Sequence, residues 1–95
     1  MHFLFSATDK AKSLDIRMQK RPEHVEFLKE SQQHGVKILI AGPKLDYEGA
    51  MCGSTLIMEA DSTSIVEEWL SKDPYAQAGL FSKSTLEIMK VVIGA

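Results

Sequence analysis

Six side chains in this sequence could do chemistry together. His24 titrates near neutral pH and can take or deliver a proton. Asp73, far downstream, could orient the other nitrogen of that imidazole if the fold brings the two together. Arg17 and Arg21 precede His24 with the spacing i, i+4, i+7, so an unbroken helix aligns the three on one stripe. Guanidinium groups there could hold an anionic or phenolate oxygen. Tyr75 offers a phenolic hydrogen bond to a substrate oxygen, and Ser54 offers a hydroxyl at a pocket rim. The chemistry these types share is acid–base work on a small oxygenated molecule, without a metal or organic cofactor.

Each of the six also has a plainer reading. His24 and the arginines suit a solvated helix face. An Asp before a Pro starts a turn, with its carboxylate bonded to a backbone N–H two residues on. Tyr75 suits an amphipathic lid over the core. Gly53-Ser54 suits a turn, and no elbow motif surrounds Ser54 to make it a nucleophile. His2, His34 and Cys52 lack metal-ligand spacing, and Ala41-Gly42-Pro43-Lys44 lacks the spacing of a nucleotide-binding loop.

The elements that must position these residues follow from pattern. The chain has 95 residues, 44% of them hydrophobic, which is enough for one domain over 1–95 and too little for two. A net charge of −2 with both signs interspersed argues against nucleic acid as a partner. No apolar run approaches the ~20 residues of a membrane-spanning helix. Met1-His2-Phe3-Leu4-Phe5-Ser6 lacks a basic region and reads as a strand rather than a signal peptide. A single cysteine, Cys52, fits a reducing, cytoplasmic setting.

Strands are expected over 2–8, 36–41, 53–60 and 81–92. Helices are expected over 14–34, capped by Ser13, and over 61–72. Pro22 should kink the first helix or split it, and Gly35 should end it. Ser64 with Glu67 resembles a capping box for the second helix, which must stop near Asp73-Pro74. Residues 44–52 read as a mobile loop. The order βαββαβ predicts a ferredoxin-like α+β fold, with a four-stranded antiparallel sheet and two helices on one face. The strands read as apolar on both faces: Phe3-Leu4-Phe5, Ile38-Leu39-Ile40 and Val91-Val92-Ile93 are unbroken runs. A second copy packed sheet face to sheet face would cover the open side, giving a homodimer.

Four pieces of the chain resemble the YCII-related (YciI-like) family. They are Arg17 with Arg21-Pro22-Glu23-His24, Ala41-Gly42-Pro43, Gly53-Ser54, and the distinctive Asp73-Pro74-Tyr75-Ala76-Gln77-Ala78-Gly79-Leu80-Phe81. The resemblance implies a dimeric, barrel-type assembly of ferredoxin-like domains and an active-site His–Asp pair, which falls on His24 and Asp73. Ser54 and Tyr75 fall where they could line the same pocket. Relatives include an enzyme that removes chloride from a chlorinated hydroxyhydroquinone, which points to elimination or isomerisation of a small ring. The end of the chain, Lys90 to Ala95, lacks the aromatic finish of many relatives. A non-catalytic dimeric module that binds a metabolite is the alternative.

Overall fold

The computed structural model describes residues 1–94. Its elements are β1 (His2–Asp9), α1 (Leu14–Lys29), a 3₁₀ turn (Ser31–His34), β2 (Lys37–Leu45), β3 (Met51–Glu59), α2 (Thr63–Ser71), a one-turn α3 (Pro74–Gln77) and β4 (Phe81–Met89). The strands form one antiparallel sheet in the order β2-β3-β1-β4. This is the ferredoxin-like α+β arrangement that the element order predicts.

Strand alternation builds the core. Phe3, Phe5 and Ala7 point toward the helices and are buried. Their partners on β3 are Met58, Leu56 and Ser54. From the helices, Val66 and Trp69 complete the buried cluster, with Phe27 and Leu28 packed against it. The rings of Phe27 and Trp69 lie nearly parallel, 4.8 Å apart, and join α1 to α2. Trp69 Nε1 is the one buried side-chain polar atom without a partner among the described residues.

Several local expectations need correction. α1 runs unbroken through Pro22 and stops at Lys29, with Ser31–His34 winding on as a tighter turn that Gly35 ends at φ +81°. Ser13 precedes α1 without making a side-chain cap bond. The N-cap of α2 is Ser62, whose hydroxyl accepts from Ile65 N, while Ser64 sits inside the helix. β2 and β3 extend into the expected loop, leaving a turn that is well tied. Asp46 Oδ1 accepts from Glu48 N at 2.9 Å and Ala50 N at 3.0 Å. β4 ends at Met89, so Val91-Val92-Ile93 lie beyond the strand.

The open face of the sheet is less apolar than the runs suggested. Register places Ile40, Ile57, Leu4 and Glu87 in one row across it. The next row is Gly42, Thr55, Ser6 and Thr85, and the row on the other side is Lys37, Glu59, His2 and Met89. Alternation sends Phe3 and Phe5 to the core and Leu4 outward, while in β2 a register shift pairs Ile38 with buried Met58 and Ile40 with Ile57 on the open face. One apolar row remains outside, within a polar surround.

Candidate active site

α1 buries an unusual pair of residues. Its two buried side chains are Arg17 and His24, which leave the helix two turns apart. They face the short segment Asp73-Pro74-Tyr75 that caps and opens α3. Asp73 has extended backbone and Pro74 takes the first helical position, so the local sequence sets up a one-turn helix. Asp73 Oδ1 accepts the Tyr75 N–H at 2.9 Å, which fixes the carboxylate.

The same oxygen lies 2.8 Å from His24 Nδ1. A carboxylate can only accept, so Nδ1 carries the proton and Nε2 of the neutral ring keeps its lone pair. Nε2 has no partner among the described residues, and the imidazole lines a cavity of about 140 Å³. The Tyr75 ring stacks on the imidazole, with centroids 3.9 Å apart and planes 15° from parallel. Arg17 Cζ sits 4.5 Å from the centre of the same ring. One face of a phenol has room for one such neighbour, so Tyr75 is held between His24 and Arg17.

Arg17 is hydrogen-bonded from two strands, β1 and β3. Its Nε donates to Asp9 Oδ2 at 2.7 Å and its Nη2 to Asp9 Oδ1 at 3.0 Å, a bidentate pair. Nη2 also donates to Ser54 Oγ at 2.8 Å. Burial works against the charge on Arg17, but the Asp9 carboxylate, with a smaller contribution from Tyr75, holds the guanidinium pKa above its ordinary value. Burial pushes the Tyr75 phenol up from 10.0, and the nearby Arg17 and Arg21 charges only partly oppose this. β3 can press this closely on β1 because residue 53 is glycine. A Cβ there would run into the Ala7 carbonyl oxygen.

The structure therefore brings five of the six expected residues into direct contact. His24 meets Asp73, Tyr75 stacks between His24 and Arg17, and Arg17 bonds Ser54. Arg21 is exposed and lines the cavity without bonding the others. The remaining wall is apolar: Val25, Leu28, Pro43, Met51 and Leu56. Among the described residues, no three His, Cys, Asp or Glu side chains are grouped as a metal site needs.

Asp9 escaped the sequence reading. Its signal was parity: Phe3, Phe5, Ala7 and Asp9 share one face of β1, so a carboxylate points where the core residues point. Such a group needs a cation, and Arg17 supplies it.

The sequence of residues 1–90 matches the YCII-related domain. The chain belongs to the YCII-related family. Among YCII-related proteins, Protein YciI of Escherichia coli is 32% identical over 98 residues, covering 97% of this chain and 99% of that one. An uncharacterized protein of Haemophilus influenzae is 29% identical with the same coverage. A solved structure similar to this YCII-related chain is 5-chloro-2-hydroxyhydroquinone dehydrochlorinase from Burkholderia phenoliruptrix, in complex with 2,5-dihydroxybenzoquinone. It has a TM-score of 0.86 and 34% identity, over 95% of this chain and 94% of that one. An antibiotic biosynthesis monooxygenase at 13% identity and TM-score 0.58 shares the fold alone.

Proposed function

We propose that this protein is an acid–base enzyme acting without metal or organic cofactor on a small hydroxylated ring, by elimination, dehydrochlorination or isomerisation. The observation that carries this reading is His24, whose Nδ1 is held by buried Asp73 while its ring lines the cavity and its Nε2 has no partner among the described residues. A cavity of about 140 Å³ suits a single six-membered ring, since one of ~150 Å³ accommodates benzene. The resemblance to a dehydrochlorinase with a bound dihydroxybenzoquinone supports the same substrate class.

Nε2 takes the proton of a ring hydroxyl, and Asp73 stabilises the imidazolium that forms. The proton is then delivered to a conjugated ring carbon. An O–H bond breaks, a C–H bond forms, and the hydroxyl carbon becomes a carbonyl. With hydrogen on that carbon the product is an isomer. With chlorine on it, loss of a second hydroxyl proton expels chloride with the C–Cl electron pair and leaves a quinone. Arg17, Ser54 and Tyr75 supply donors for the ring oxygens, and Arg21 adds positive charge at the cavity wall.

The assay is chloride release from 5-chloro-2-hydroxyhydroquinone. His24→Asn should lower turnover by ~10²–10⁴-fold with the fold intact. Unchanged turnover in that variant would remove His24 from the chemistry and leave a binding module.

We also assign the outer row of Ile40, Ile57 and Leu4 to contact with a second copy, sheet face to sheet face. Ile40 is 63% exposed in the single chain. The surrounding row of Lys37, Glu59 and His2 places both signs of charge where a two-fold partner can complement them.

A further inference from the structure

The polar end of the cavity contains a cation whose charge is already cancelled. Arg17 spends Nε and both Nη2 protons on Asp9 and Ser54. The Asp9 and Arg17 side chains are 6% and 3% exposed, so solvent scarcely screens the pair. The two Nη1 protons have no hydrogen-bond partner among the described residues and remain for whatever occupies the cavity that Arg17 lines. Ser54 Oγ accepts from Arg17, and its own proton has no acceptor among the described residues. At Arg17 this end thus offers hydrogen-bond donors whose charge is cancelled, while Arg21, exposed elsewhere on the cavity wall, keeps its own positive charge.

From this we infer that Asp9 is a specificity-determining positioning residue, which makes the Arg17 end of the cavity select neutral hydroxyl or carbonyl oxygens and reject a ring carboxylate. Among the described residues, Arg21 is then the one free arginine charge on the cavity wall. The inference rests on the reading of the site as a ring-binding one. The physical reason is that a ligand carboxylate at Arg17 would have to share one guanidinium with Asp9. Two like charges would then sit together in a water-poor pocket. A neutral oxygen meets no such repulsion and still receives the donors. The same arrangement favours turnover. Donors aimed at a neutral oxygen gain strength as that oxygen becomes anionic, so the stabilisation falls on the transition state more than on bound substrate. An uncancelled arginine would instead hold anionic ground states tightly.

The test compares two single-ring probes, hydroquinone under reducing conditions and 4-hydroxybenzoate, by calorimetric titration. Wild-type protein should bind hydroquinone at least tenfold more tightly. Asp9→Asn should shift the ratio at least tenfold toward 4-hydroxybenzoate, an increase in carboxylate affinity that mere loosening of the structure cannot produce. Ser54→Ala, which keeps both charges, should weaken hydroquinone binding without favouring the carboxylate. A wild-type preference for 4-hydroxybenzoate, or an unchanged ratio in Asp9→Asn, overturns the inference on Asp9 alone. Should Asp9→Asn fail to fold, the wild-type ratio and the Ser54→Ala ratio still decide it. If wild-type protein binds neither probe, the reading as a ring-binding site falls with it.

Discussion

Tyr75 carries three jobs in one residue. Its backbone N–H fixes Asp73, its ring separates His24 from Arg17, and its side chain lines the cavity. Burial raises the pKa of its phenol above 10.0. A folded-state value above the unfolded one means that the neutral phenol favours the native state. That contribution is complete below pH 10 and is lost as pH climbs through the raised value. Urea unfolding from pH 8 upward should therefore show wild-type protein losing stability above about pH 10 faster than Tyr75→Phe does, which has no proton to lose. Parallel stability profiles for the two proteins would contradict the buried phenol. The other tyrosine, Tyr47, is fully exposed at the β2–β3 turn and is common to both proteins.

At the scale of elements, the N-cap of α2 makes a separable prediction. Ser62→Ala should cost about 0.5–1 kcal/mol, toward the low end because its bond to Ile65 N is 3.4 Å. Ser64→Ala should be close to neutral, since Ser64 is an exposed helical residue. Denaturant midpoints of the two variants check this, and a larger loss at Ser64 would restore the capping box there. The element order and the sheet were legible because short apolar runs such as Phe3-Leu4-Phe5 and Ile38-Leu39-Ile40 alternate with longer mixed segments bounded by Gly35 and Pro74. The pairing of His24 with Asp73 was legible through family resemblance and not through spacing, because contacts between distant segments leave no local signature. Asp9 was legible in principle through parity, but a lone Asp at a strand end also reads as a turn residue. The split expected at Pro22 does not occur, because the missing N–H costs one backbone bond and a helix anchored on both sides of it by buried Arg17 and His24 tolerates that loss.

For the whole molecule, the proposed contact through the outer row of the sheet makes a direct prediction. Sedimentation of the wild-type chain should give a dimer, and Ile40→Glu should shift it to monomer with helical content unchanged. A wild-type monomer at micromolar concentration would leave that face to solvent. A different whole-molecule consequence follows from the stripe that α1 turns toward the sheet. Most amphipathic helices spend that stripe on aliphatic side chains, whereas here it is spent on a guanidinium and an imidazole. Buried ion pairs return little net stability compared with well-packed hydrocarbon of the same volume. Selection for thermal robustness alone would therefore erode this stripe first, exchanging Arg17 and Asp9 for apolar residues and discarding the cavity chemistry with them. A stabilised variant of this chain that keeps the Arg17–Asp9 pair must find its gains elsewhere, at the α2 cap or in the turns.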